Sequence, residues 1–168
     1  MNQTKDIFTR KREVAEREKR KASFHEAGHA AICSRLGGYG TAMVWRNTAQ
    51  RIKTGERAWL GTFKMYFKPG TVNMDRKTKL ALGVIPITKN WRVLLGMAGL
   101  VAENIADGIT DADEIAGIIF DAIMVDEVSQ TDKDLMGIHW RVRDVAKVVK
   151  LLQDKWPEVE RVAASLTA

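Results

Sequence analysis

Two histidines four residues apart, in the stretch FHEAGHAAIC at positions 24–33, tie the fold of this chain to a specific chemistry. On an α-helix, residues four apart lie on one face, so His25 and His29 can direct their imidazoles at one zinc ion at roughly 2.0–2.1 Å. Glu26 projects beside that point, where it can move a proton between water and a leaving amine. The stretch predicts a zinc-ligand helix over residues 22–36. The open alternative is an amphipathic helix whose histidines are only polar.

Composition limits the class of protein. The chain has 168 residues, 45% hydrophobic and 29% charged, which is typical of one soluble globular domain with a sizeable core. The longest apolar run, LALGVIPI at 80–87, contains a glycine and a proline, so we expect no membrane span and no signal region. A single cysteine, Cys33, excludes an internal disulfide and fits a reducing compartment. We therefore expect a cytoplasmic protein.

The positive charge is concentrated near the N-terminus. Residues 5–21 carry eight Lys or Arg against four Asp or Glu, and the chain has a net charge of +6. The opposite charges alternate at helical spacing, which favours a solvated helix over a nucleic-acid or membrane contact. We divide the chain into a charged arm, residues 1–21, and a domain, residues 22–168.

The remaining pattern predicts a mainly α fold with a small inserted β-sheet, an α+β class. Residues 41–67 are rich in aromatics and partly alternate, as in a sheet of two or three strands. Thr54 to Arg57 suit the hairpin connection. Helices are expected at 75–82, 88–106, 111–128 and 131–156, with a last one from Pro157.

A catalytic zinc site needs a third protein ligand, and several downstream carboxylates are candidates. Asp134 lies near the start of the predicted long helix, two residues after Asp132. His139 is five residues past Asp134, about 140° around a helix, so the two cannot easily face one metal. The other candidates are Glu103, Asp113 and Asp121.

Four segments resemble the FtsH/paraplegin family of membrane-anchored, ATP-dependent zinc proteases. HEAGH is similar to the signature helix of that family, and GMAGLVAENIADG to its G-G-R-A-A-E-E helix. RAWLGTFKMYF resembles its edge strand, and TDKDLMGI the helix start that carries its third zinc ligand. The resemblance implies a zincin-like helical peptidase domain with His25, His29 and Asp134 as zinc ligands and Glu26 as the general base. It also implies a role behind the metal ligands for Glu103.

The chain departs from the family pattern in two places. Leu100 stands where the family has the arginine of G-G-R, and the segment between Glu103 and Asp134 is longer than usual. The chain also lacks the phosphate-binding loop of the family's ATPase.

We therefore expect an ATP-independent zinc metallopeptidase that cleaves flexible or unfolded protein segments. The resemblance makes a homo-oligomer a further expectation. The alternatives are a binding module that keeps the fold without turnover and, with less support, a nucleic-acid-binding protein that uses the basic helix.

Overall fold

The computed structural model describes residues 3–48 and 57–167, with side chains from residue 9 onward. The described chain is mainly helical with one small antiparallel sheet, so the predicted α+β class is confirmed. The helices are α1 (Gln3–Arg35), α2 (Arg76–Ala81), α3 (Trp91–Ala106), α4 (Ala112–Met124), α5 (Gln130–Met136), α6 (Val142–Gln153) and α7 (Trp156–Thr167). The strands are β1 (Tyr39–Arg46) and β2 (Trp59–Phe67).

Helix α1 joins the charged segment and the histidine segment in one unbroken run of 33 residues. The two were predicted as separate helices, but no glycine or proline stands between them to break the hydrogen-bond ladder. The helix ends at Gly37, whose φ of +76° is in the left-handed region, and the Gly38 N–H donates to the Cys33 carbonyl oxygen at 2.8 Å.

Basic side chains at the end of the charged segment hold it against the other helices by hydrogen bonds and ion pairs. The Lys19 ammonium donates to the Thr167 carbonyl oxygen at 2.7 Å, and an Arg20 guanidinium nitrogen donates to the Ala106 carbonyl oxygen at 2.6 Å. Asp107 accepts from Arg20 and lies 3.3 Å from the Lys21 ammonium. These contacts place this part of α1 against the C-terminal ends of α3 and α7.

The sheet pairs β1 with β2 in antiparallel register, from Tyr39 opposite Phe67 to Arg46 opposite Trp59. Both strands lie on α1. The predicted connection through Thr54, Gly55 and Glu56 lies outside the described residues. β2 thereby runs alongside the turn of α1 that carries the histidines.

Close packing of α1 on α3 builds the centre of the domain. A Cβ atom on Gly28 would lie 2.5 Å from the Ala98 carbonyl oxygen and 2.7 Å from the Ala102 Cβ, so only glycine permits this approach. The fully buried side chains around this contact come from five helices: Ile32, Cys33, Leu94, Met97, Val101, Ile115, Ile119, Val145, Val148, Leu152 and Val159.

The prediction of a single long helix over 131–156 is wrong, because the chain forms two separate helices there, α5 and α6. Ser129 caps α5 by accepting from the Asp132 N–H at 3.1 Å. Gly137, with φ +63°, ends α5. Helix α6 begins after Arg141, whose N–H donates to the Asp144 carboxylate at 3.1 Å.

The other predicted helices are present with shifted ends. Asp111 caps α4 by accepting from the Glu114 N–H at 2.9 Å, and α4 ends at Met124, four residues before the predicted end. The last helix begins at Trp156, directly before Pro157. None of the described helices combines the length and the apolar character needed to cross a membrane.

Candidate metal centre

Helix α1 places the rings of His25 and His29 side by side, as their four-residue spacing requires. Their Nε2 atoms are 3.0 Å apart. The His29 Nδ1–H donates to the Leu95 carbonyl oxygen at 2.9 Å, and because a carbonyl only accepts, this contact fixes the tautomer with its lone pair on Nε2. Nδ1 of His25 lies 2.6 Å from Oε1 of Glu103. Both rings are therefore held from behind with Nε2 facing a common point.

Asp132 on α5 completes a group of three potential ligands. Its Oδ2 atom lies 3.2 Å from His25 Nε2, and its Oδ1 atom lies 3.2 Å from His29 Nε2. The Ser129 hydroxyl donates to Asp132 Oδ2 at 2.7 Å, so the residue that caps α5 also orients the carboxylate. Only 4% of Asp132 is exposed, which is costly for a carboxylate unless cations surround it.

Asp134, ranked first from sequence, is not brought to the histidines. It is exposed, and its Oδ1 accepts from Gln130 Nε2 at 2.7 Å. Residues two positions apart on a helix point about 200° away from each other, so α5 cannot turn both Asp132 and Asp134 to the same point. The informative signal was the S-Q-T-D stretch from Ser129 to Asp132, an S-x-x-D pattern typical of a helix start.

The remaining sequence candidates lie elsewhere or have another contact. Glu103 touches His25 through Nδ1, the position behind a ligand that the resemblance implied. Asp113 and Asp121 are exposed on α4. His139 is exposed in the loop after α5 and lines a different cavity.

The geometry of His25, His29 and Asp132 fits a metal ion. The three ligand atoms all lie within 4.8 Å of one another, and the closest separations are 3.0–3.2 Å. Ligands of a tetrahedral ion about 2.0–2.1 Å away are about 3.3 Å apart, so only a small outward shift is needed. Three protein ligands would leave the fourth position of a tetrahedral ion open.

Glu26 is buried beside this group, with 5% of its surface exposed. Gly61 of β2 makes the space for it, since a Cβ atom there would lie 2.5 Å from Glu26 Oε1. No hydrogen bond within the described part of the chain holds its carboxylate. Burial raises the pKa of Glu26, and the neighbouring His25 and His29 oppose that rise.

Burial and hydrogen bonding act in opposite directions on the pKa values of this group. Burial alone would lower the pKa of His25, but hydrogen bonds to Asp132 and Glu103 raise it to about 10. Burial also disfavours the two carboxylates, yet their hydrogen bonds to the histidines keep the pKa of Asp132 and that of Glu103 below their usual values. In the absence of a metal, the site therefore holds an imidazolium cation between two anions.

The candidate metal centre opens into a cavity of about 590 Å³ between β2 and the segment that leads into α5. Arg57 is the single Lys or Arg among the described residues that line it, and its guanidinium lies 3.8 Å from Glu103 Oε1. The walls are mostly apolar: Trp59, Leu60, Phe63, Met65, Leu95, Leu100, Val128 and Leu135. This volume lies within the range of ligand-binding pockets, about 300–1,000 Å³.

Comparison with models of protein families gave no match, and comparison with curated proteins gave no significant match.

Proposed function

We propose that this protein is a zinc metallopeptidase of the HExxH class that hydrolyses peptide bonds in flexible or unfolded protein segments. The observation that carries the proposal is the convergence of His25, His29 and Asp132 on one point, with Glu26 beside it and an open cavity in front. The resemblance of HEAGH and AGLVAE to the FtsH/paraplegin proteases supports the same reading.

Zinc is the metal we propose, because two imidazole nitrogens and one carboxylate oxygen are ligands that it accepts in catalytic sites. Zinc in this position would lower the pKa of a water ligand toward about 7 and polarise a peptide carbonyl. The contacts of Glu103 and Leu95 with the two Nδ1 atoms keep the ligand nitrogens in place.

Glu26 is the proposed general base. It takes a proton from the attacking water and delivers it to the departing nitrogen. Its carboxylate has no hydrogen bond to the residues that the structure describes, and Gly61 has no side chain to press on it, which suits a group that must move a proton between two partners. These steps involve no nucleotide.

An extended or unfolded segment is the substrate class that the cavity favours. Strand β2 forms one wall, and large apolar side chains line part of the cavity. We place the protein in the cytoplasm, where its buried thiol stays reduced, and we keep a homo-oligomer as part of the proposal.

Metal analysis with a casein-cleavage assay tests this function. We expect about one zinc per chain, loss of zinc in His25→Ala, and loss of cleavage with zinc retained in Glu26→Gln. Glu114→Gln, an exposed glutamate at the first turn of α4, is the matched control and should keep both properties. Purified wild-type protein without stoichiometric zinc, or Glu26→Gln protein that cleaves at the wild-type rate, would refute the proposal.

A second candidate is a binding module that retains the site without turnover. Leu100 favours it, because this apolar residue lines the cavity where the resembled family has an arginine. Zinc-loaded protein that cleaves neither casein nor a peptide library would favour this candidate over the peptidase.

A further inference from the structure

A second cavity, of about 740 Å³, lies between the start of α3, the loop after α5 and the start of α6. We call it the basic cavity. Four of its described lining residues are cations, and a histidine accompanies them: Lys89, Arg141, Arg143, Lys147 and His139. It shares no described lining residue with the cavity in front of the metal centre.

Asp144 is the one acidic residue among the described residues that line the basic cavity, and both of its oxygens are engaged. Oδ1 accepts from Asn90 Nδ2 at 2.6 Å, and Oδ2 accepts from the Arg141 N–H at 3.1 Å. Its carboxylate therefore serves to begin α6 and to fasten α6 to α3. Within the described part of the chain, none of the four cations forms an ion pair with a carboxylate, so the basic cavity keeps an excess of positive charge.

Apolar side chains lie among these cations. Val93 and Met136 line the cavity with Ile138, which is 88% exposed. Gly137, with its positive φ, turns the chain after α5 and leaves Ile138 on the outside. A partner that covers so exposed an isoleucine removes apolar surface from water, which makes the free energy of binding more favourable.

We propose that the basic cavity binds an acidic, partly apolar segment of a partner protein. The arginine guanidinium groups can take carboxylates in a bidentate manner, and an apolar side chain of the segment would cover Ile138. A single-stranded nucleic acid fits less well, because none of the described lining residues is a Phe, Tyr or Trp on which bases stack. None of the described residues that line the basic cavity belongs to the candidate metal centre.

Fluorescence anisotropy of the full chain with a labelled short peptide of alternating Glu and Leu tests the proposal. The variant replaces Lys89, Arg141, Arg143 and Lys147 by Gln. The matched control replaces four exposed cations outside the cavity by Gln: Lys11, Arg12, Arg76 and Lys77. It therefore lowers the net charge by the same amount as the variant does. We expect the peptide affinity to fall about tenfold or more in the variant and to change less than about twofold in the control.

Two further measurements separate this proposal from general electrostatic attraction. Ile138→Ser keeps every charge, and it should weaken peptide binding severalfold if the segment covers that side chain. A labelled oligonucleotide of equal charge should bind more weakly than the peptide. Equal losses in the variant and the control, no effect of Ile138→Ser, absence of peptide binding, or tighter binding of the oligonucleotide would each overturn the proposal.

Discussion

Nδ1 of His25 lies 2.6 Å from Oε1 of Glu103, although the two residues are 78 positions apart in the chain. The contact exists because α3 packs closely on α1 at Gly28, and Gly99 leaves room for the ring of His25. It determines which nitrogen of His25 faces the metal position. A carboxylate on the rear nitrogen also makes the front nitrogen a stronger ligand.

Removing the charge of Glu103 tests this arrangement. In Glu103→Gln the amide keeps the size of the side chain but loses the anion that orients His25, so we expect zinc affinity to fall by about 10- to 100-fold. Competition with a chromophoric chelator measures the affinity. Glu127→Gln, an exposed glutamate of the cavity wall, should bind zinc like the wild type. Unchanged affinity in Glu103→Gln would mean that the contact does not support the metal.

The identity of the third ligand is tested by two aspartates on the same helix. Asp132→Asn removes the carboxylate that lies 3.2 Å from both histidines, and we expect zinc affinity to fall by at least about tenfold. Asp134→Asn changes an exposed side chain of α5 and should leave zinc binding unaltered. Metal content after dialysis distinguishes the two variants. Loss of zinc in Asp134→Asn, with zinc retained in Asp132→Asn, would instead identify Asp134 as the third ligand.

The glycine beside the His25 ring gives a prediction on stability. A Cβ atom at Gly99 would lie 2.5 Å from two atoms of the ring, so Gly99→Ala should lower the free energy of unfolding by about 1–3 kcal/mol and weaken zinc binding. Gly117, on α4, has nothing within 4 Å of an added Cβ. Gly117→Ala should therefore raise stability by about 0.5–1 kcal/mol. Urea unfolding measures both, and a stabilised Gly99→Ala protein would contradict the packing.

Glu26 and Gly61 give a separate test of the general base. The three atoms nearest to an added Cβ at Gly61 all belong to Glu26, so Gly61→Ala should displace that carboxylate and lose cleavage while zinc binding stays within about twofold of wild type. Casein cleavage and chelator competition on the same preparation give the two quantities. Full activity in Gly61→Ala would show that Glu26 need not occupy this position.

The buried thiol predicts a change of stability with pH. Burial raises the pKa of Cys33 from 9.0 to about 12, so the unfolded chain loses its thiol proton at lower pH than the folded protein does. This contribution to stability is complete below pH 9 and is lost as the pH rises toward 12. Between pH 8 and pH 10 the free energy of unfolding of the wild type should therefore fall by about 1.4 kcal/mol more than that of Cys33→Ala, measured by urea unfolding. A difference that does not change between pH 8 and pH 10 would contradict the shift.

The sequence predicted those parts of the molecule that depend on local pattern. The helix of His25 and His29, the small sheet and the helical remainder follow from spacing and composition. The choice between Asp132 and Asp134 depended on which residue caps α5, because a shift of the helix start by two positions would turn the other carboxylate toward the two histidines. The contact of Glu103 with His25 depended on the packing of two distant helices, which no local pattern records.

Helix α5 is a wall of both cavities. Asp132 and Leu135 line the one in front of the candidate metal centre, while Met136, the last residue of the helix, lines the basic cavity. A displacement of this seven-residue helix would therefore change the walls of both cavities. Thermodynamic linkage makes any such effect reciprocal: if zinc tightens the hold on an acidic segment by some factor, the segment must tighten the hold on zinc by the same factor.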